Sequence, residues 1–96
     1  MSDLVIYRGR GVVGRGDQII NLTPTEFRLL VFLAQHQGQA LTRAQILDAV
    51  WGYEADVDSE RAVNVHIRRL REKIEIDPSI PSLILTVPGI GYRMVG

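Results

Sequence analysis

The feature that most constrains this chain is a helical pattern between residues 59 and 75, SERAVNVHIRRLREKIE. An apolar stripe recurs there at helical spacing and is predicted to pack against a core: Val63, Ile67, Leu70 and Ile74. At about 100° per residue, the opposite face gathers Arg61, Asn64, Val65, Arg68, Arg69 and Glu72. Guanidinium groups pair with phosphate or guanine, an amide pairs with adenine, and an apolar side chain meets a thymine methyl. The pattern therefore favours a helix that lies in the major groove of DNA.

Charge supports this hypothesis only locally. The 96 residues carry no formal net charge, which argues against a protein that coats nucleic acid non-specifically. Five of the eleven basic residues nevertheless fall in the helical pattern: Arg61, Arg68, Arg69, Arg71 and Lys73. The chain has no cysteine, no apolar run long enough to cross a bilayer and no signal-peptide pattern. We expect a cytoplasmic protein that binds no membrane.

The first part of the chain, residues 4–22, predicts a small antiparallel meander of short strands. Gly9, Gly11 and Gly14 also satisfy G-x-G-x-x-G, the dinucleotide-binding fingerprint. That motif requires a helix to begin at the glycines, so that its N-terminus meets the pyrophosphate. Another strand pattern follows instead. We interpret the glycines as turn residues and expect neither a cofactor nor a metal.

Three helix starts follow. Thr23 is a predicted N-cap, with Glu26 placed to complete a capping box. Thr42 and Gln45 repeat the same arrangement for a second helix. Asp58 is expected to cap the third, where a negative charge suits the positive end of the helix dipole. Residues 83–87 and 92–95 are strand candidates around a Pro-Gly turn, and they predict a C-terminal hairpin.

Several segments resemble the OmpR/PhoB family of bacterial two-component response regulators: LTPTEF at 22–27, LDAVWG at 47–52, VHIRRLR at 65–71, TV at 86–87 and GYR at 91–93. The resemblance implies an α+β winged helix-turn-helix with a four-stranded N-terminal antiparallel β-sheet, three helices and a C-terminal β-hairpin wing. It places recognition helix 59–75 in the major groove and wing 86–93 at the minor groove.

The resemblance also implies a domain plan and partners. A single domain covers 1–96, with the sheet at about 4–22, the three-helix core at 23–75 and the wing at 83–95. A receiver domain, through which a sensor kinase acts, is expected outside this chain, which we interpret as an excised domain. Such domains bind direct repeats of double-stranded DNA, usually as two copies head to tail. The segment with Tyr53, Glu54 and Asp56 resembles a loop that contacts RNA polymerase.

Residue roles follow from the same resemblance. Base contacts are expected from Asn64, Val65 and Arg69, with Arg69 on guanine and Asn64 on adenine or cytosine. Phosphate contacts are expected from Arg61, His66, Arg68, Arg71 and Thr86, and Arg93 is expected in the minor groove. In the alternative interpretation these residues do not contact DNA. The arginines then form a solvated basic face, Val65 is an ordinary exposed valine and His66 is a structural histidine.

Two features depart from the family pattern. Pro88 stands at a wing turn where many members carry a basic residue, and Glu72 on the polar face repels phosphate. They leave open a winged-helix module that binds proteins and not DNA. An enzyme finds no support, because no paired nucleophile and base, metal-ligand cluster or phosphate loop occurs in the required context.

Overall fold

The computed structural model describes residues 4–52 and 59–95 of the chain. Within these ranges the elements are β1 (Leu4–Tyr7), β2 (Val12–Arg15), β3 (Gln18–Ile20), α1 (Pro24–Gln35), β4 (Leu41–Thr42), α2 (Arg43–Val50), α3 (Ser59–Ile74), β5 (Ile84–Val87) and β6 (Gly91–Met94). The strands form two antiparallel sheets, in the orders β1-β2-β3 and β4-β6-β5. The predicted α+β order of sheet, three helices and hairpin is confirmed. None of the described helices is both long and apolar enough to cross a bilayer.

The N-terminal sheet has three strands in the described part of the chain, where the resemblance implied four. The chain leaves this sheet after Ile20, because Thr23 and Pro24 already begin α1. Proline has no N–H to donate to a strand ladder. Residues 17–22 therefore supply one strand.

The glycines of the G-x-G-x-x-G sequence belong to this sheet. Gly11 lies in the turn between β1 and β2 with a φ of 67°, which is the left-handed region that glycine adopts without strain. Gly14 lies within β2, directly beneath the Tyr7 ring. No helix begins at these residues. Gly9 and Gly11 are turn residues as interpreted, whereas Gly14 is a strand residue.

Both predicted capping boxes are present. The Thr23 hydroxyl accepts from the Glu26 backbone N–H at 3.2 Å, and the Glu26 carboxylate accepts from the Thr23 N–H at 3.0 Å. Thr42 and Gln45 make the equivalent pair at 3.0 and 2.8 Å. A cap of this kind stabilises a helix by about 1 kcal/mol. The starts of α1 and α2 are thus fixed by local sequence. Asp58 lies outside the described residues.

Helix α3 turns its apolar stripe inward, as predicted. Val63, Ile67, Leu70 and Ile74 are each 0% exposed. They meet buried side chains from the other helices and both sheets: Val13, Leu29, Leu30, Leu33, Leu41, Ile46, Ile84 and Tyr92. Each buried side chain of this size stabilises the fold by roughly 1.5–3 kcal/mol. Burial of the stripe therefore fixes which face of α3 points to solvent.

The C-terminal end of α3 is tied to three other parts of the fold. Arg15 of β2 donates from Nη2 to the Ile74 carbonyl. Lys73 donates from Nζ to Glu26 of α1. The Glu75 carboxylate, which is only 5% exposed, accepts at 2.9–3.1 Å from the N–H groups of residues 82–84. The start of the hairpin is therefore held against the C-terminal end of α3.

The hairpin also pairs with the chain before α2. Leu41 and Thr42 of β4 pair with Tyr92 and Gly91 of β6. Gly91 lets the two backbones approach closely, because a Cβ there would collide with the Leu41 carbonyl. This pairing fixes the hairpin relative to the start of α2.

Candidate nucleic-acid interface

The face of α3 opposite its buried stripe is open to solvent. The six residues that sequence analysis placed on this face are all exposed. We call five of them the outer ridge, and Asn64 is described separately below: Arg61, Val65, Arg68, Arg69 and Glu72. Val65 is 44% exposed although it is apolar. The ridge carries three guanidinium groups against one carboxylate, so a local positive charge exists on a chain of zero net charge. The predicted outward face is present.

The charges of the outer ridge are weakly compensated. Arg68 Nε lies 3.8 Å from the Glu72 carboxylate, and both side chains are largely exposed. An exposed pair of this type contributes at most about 1 kcal/mol, so a phosphate can displace Glu72 readily. Within the described ranges, no carboxylate pairs with Arg61 or Arg69. These cations remain available to an external anion.

Arg71 does not point outward with the ridge. It is half-buried, and its Nε and Nη2 donate to the Ile84 carbonyl at 3.1 and 2.8 Å. Nη2 also donates to the Thr86 hydroxyl at 3.0 Å, and the guanidinium lies 5.3 Å from the centre of the Tyr92 ring. Two predicted phosphate contacts, Arg71 and Thr86, are therefore bonded to each other and join α3 to the hairpin.

Asn64 lies on the same flank of α3. Its Oδ1 accepts from Arg43 Nε at 2.7 Å and from the Tyr92 hydroxyl at 2.7 Å. The Arg43 guanidinium also lies over the Tyr92 ring, 5.2 Å from its centre. We call Arg43, Asn64 and Tyr92 the amide network. It joins α2, α3 and the hairpin at one point.

Lys73 belongs to the opposite flank of α3. Its Nζ lies 2.5 Å from Glu26 Oε1, and Glu26 is 3% exposed. Burial raises the pKa of Glu26, but hydrogen bonds from Lys73 and the Thr23 N–H outweigh it, so this pKa lies below its ordinary value. The five basic residues of α3 are therefore divided by what they contact. Three lie on the outer ridge, Arg71 bonds to the hairpin and Lys73 bonds to Glu26 of α1.

His66 is half-buried at the edge of the outer ridge. Its Nδ1 lies 2.8 Å from the Ala62 carbonyl, and its ring packs edge-on against Trp51 with 5.1 Å between centroids. A carbonyl only accepts, so Nδ1 carries the proton and Nε2 is the nitrogen left for another partner. The ring is held in place as a structural histidine would be. Nε2 can donate to a phosphate only when both ring nitrogens carry a proton.

The wing presents Arg93 and an apolar turn. Arg93 is exposed on β6, opposite Leu85 of β5 in the strand register. The turn contains Pro88, and Ile90 there is 45% exposed. The only cation on the described hairpin is therefore Arg93. Tyr53, Glu54 and Asp56, the predicted polymerase-contact residues, lie outside the described residues.

Arg43 and Tyr92 are site residues that sequence reasoning missed. Arg43 is the first residue of α2, where a cation is unfavourable beside the positive end of the helix dipole. That local mismatch was a signal that Arg43 serves a tertiary contact. Tyr92 was noted only as part of the GYR segment, because its hydroxyl partner lies 28 positions away in sequence.

Two sequence comparisons bear on this surface. Residues 16–94 match the family model described as transcriptional regulatory protein, C terminal. The DNA-binding response regulator MtrA of Mycobacterium tuberculosis is 51% identical over 81 residues, which are 84% of this chain and 35% of that protein. The chain therefore spans only 35% of the length of this curated relative.

Solved structures share the architecture. The response regulator DrrB, an OmpR/PhoB homologue from Thermotoga maritima, superposes with a TM-score of 0.87 at 34% identity, over 100% of this chain and 43% of that one. The DNA-binding domain of CpxR from E. coli gives a TM-score of 0.81 at 35% identity, over 100% of this chain and 93% of that one. The described elements are those of a winged helix-turn-helix.

Proposed function

Because the chain belongs to the transcriptional regulatory C-terminal family, the DNA-binding effector domains of OmpR/PhoB response regulators, we propose that it binds a specific sequence of double-stranded DNA and so regulates transcription. The observation that carries this proposal is the outer ridge. Its guanidinium groups are exposed and weakly compensated on a helix whose opposite face is fully buried. The major groove admits an α-helix, and an exposed helix face with this charge suits it.

Roles within the proposed interface follow from position on α3. Arg69 and Val65 are proposed to meet base edges, Arg69 through guanine and Val65 through a thymine methyl. Arg61 and Arg68 are proposed to bind phosphates on either side. His66 is proposed to join them through an Nε2–H, which exists when both ring nitrogens carry a proton. Asn64 is proposed as a third base reader.

The hairpin is proposed to reach the adjacent minor groove through Arg93, since narrow minor grooves attract such side chains. Thr86 and Arg71 are proposed to meet the intervening phosphate from the position in which they already bond each other. Neither has to break that bond, because the Thr86 hydroxyl can donate outward while it accepts from Arg71.

Assembly and partners extend the proposal to the longer protein. We propose two copies bound head to tail on direct repeats, in the cytoplasm. An upstream receiver domain, acted on by a sensor kinase, is proposed to control that assembly. The segment with Tyr53, Glu54 and Asp56 is proposed to contact RNA polymerase.

The test begins with selection of binding sites from a random duplex pool at physiological salt. On the selected site, Arg69→Ala should relax preference at one base position and weaken binding by about 1–3 kcal/mol. Arg68→Ala should weaken all duplexes alike and flatten the salt dependence by about one unit. The matched control is Arg28→Ala, an exposed arginine on α1 away from the ridge, which should change neither quantity. Equal effects of the Arg68 and Arg69 changes on every duplex would contradict the assigned roles.

A module that binds protein and not DNA is the alternative. In the sequence, the protein-binding alternative is favoured by the neutral net charge, by Pro88 and by Glu72. The structure weakens one of these arguments, because Glu72 is matched by Arg68 and leaves two ridge arginines without a carboxylate in the described residues. A gel shift that compares random with repeat-containing duplex separates the two functions.

A further inference from the structure

The orientation of the Asn64 amide is fixed by its neighbours. The Nε–H of Arg43 can only donate, so the atom 2.7 Å from it must be the amide oxygen. A flipped amide would set its NH₂ group against that N–H. The Tyr92 hydroxyl, also 2.7 Å from this oxygen, donates its proton to the same atom.

Both donors are themselves held in place. Tyr92 is only 5% exposed, and the guanidinium groups of Arg43 and Arg71 lie 5.2 and 5.3 Å from the centre of its ring. Cations over a tyrosine face are attracted by the ring quadrupole. The two lone pairs of Asn64 Oδ1 are therefore occupied before DNA arrives.

The amino group of Asn64 is free by contrast. The residue is exposed, and no acceptor in the described part of the chain takes a hydrogen bond from Nδ2. We infer that Asn64 reads DNA as a hydrogen-bond donor only. This inference rests on the proposed function and adds the chemistry that Asn64 recognises. Its targets are major-groove acceptors, which are O6 and N7 of guanine, N7 of adenine and O4 of thymine. O6 and O4 distinguish one base pair from another for such a donor, whereas N7 is common to both purines.

This assignment excludes the bidentate pair with adenine and the expected contact with cytosine. The bidentate pair with adenine needs Oδ1 to accept from N6, and a contact with cytosine needs Oδ1 to accept from N4. In the structure Oδ1 has no lone pair left for either. Arg43 and Tyr92 thus act as positioning residues that set the specificity of Asn64.

The decisive variant is Asn64→Asp. A carboxylate keeps one oxygen for Arg43 and Tyr92 and replaces the outward amino group with an acceptor. Site selection should therefore invert one base pair, so that the strand that carried guanine or thymine now carries cytosine or adenine. We expect a preference of about ten-fold for the inverted pair. Asn64→Ala identifies the same position, because it removes the preference there.

Two controls separate charge from recognition. Asn21→Asp adds the same negative charge at an exposed position before α1, and it should leave every base preference unchanged. Tyr92→Phe frees one lone pair of Oδ1 and should narrow the discrimination at the Asn64 position by about three-fold, without inverting it. A purely structural role of the tyrosine hydroxyl would lower stability and leave base preference alone.

Analogue duplexes test the unmodified protein. Replacing guanine by 7-deazaguanine at the Asn64 position removes an acceptor and should weaken binding. Where the selected position carries an A·T pair instead, replacing adenine by purine removes the N6 amino group. This replacement should leave the binding affinity unchanged. Loss of binding with purine, or an unchanged base pair in Asn64→Asp, would overturn the inference while leaving DNA binding intact. If the wild-type protein enriches no site at all, the proposed function fails and this inference fails with it.

Discussion

Replacement of Arg71 by methionine tests whether this residue chiefly holds the wing or chiefly binds phosphate. Methionine keeps the length and apolar stem of the side chain but removes every donor. In the structure the guanidinium makes a two-pronged contact with the Ile84 carbonyl and a further bond to Thr86. A residue that served phosphate alone would leave the stability of the free protein unchanged.

The expected magnitude follows from these contacts. A hydrogen bond from a charged donor contributes about 1.5–3 kcal/mol, and we count the two prongs on one carbonyl as a single bond. The contact with the exposed Thr86 hydroxyl adds about 0.5 kcal/mol. We therefore expect Arg71→Met to lower the free energy of unfolding by about 2–3.5 kcal/mol.

The assay is urea unfolding followed by circular dichroism. Arg68→Met is the matched control, since Arg68 lies one turn away on the same helix and makes only an exposed pair with Glu72. Arg68→Met should change the free energy of unfolding by no more than about 0.5 kcal/mol. Equal stabilities of the two variants would refute a role for Arg71 in holding the wing.

Two further substitutions probe the framework. Glu26→Gln keeps the capping box but removes the charge that faces Lys73, so urea unfolding should show a loss of about 1 kcal/mol at neutral pH. Because the pKa of Glu26 is lowered in the fold, this difference should persist above the unfolded pKa and disappear as pH falls through the folded one; a constant difference at all pH values would exclude the ion pair as its cause. Gly91→Ala should cost about 2–4 kcal/mol in thermal unfolding, because its Cβ meets the Leu41 carbonyl, whereas Gly9→Ala has open space and should be neutral.

Local sequence predicted much of the fold. The capping boxes join residues three apart, so Thr23 with Glu26 and Thr42 with Gln45 could be identified without any tertiary information. The buried stripe of α3 could be predicted in the same way. Helical spacing alone separates its members, such as Ile67, from the residues of the outer ridge. These elements were confirmed to within a residue or two.

Long-range contacts could not be derived in this way. The two-residue strand β4 exists because Leu41 meets Tyr92, some fifty positions later. The same limit applied to the site, where helical spacing placed Asn64 on the exposed face but could not reveal that Asn64 and Arg71 both bond to the hairpin. Their partners come from α2, β5 and β6, which periodicity along α3 does not encode.

The hydrogen bond between Arg15 and the Ile74 carbonyl fastens the last turn of α3 to the N-terminal sheet. Val13 of the same sheet packs in the core beside the buried stripe of α3. A displacement of the sheet would therefore reach α3 both through the packed interior and through the Arg15 side chain.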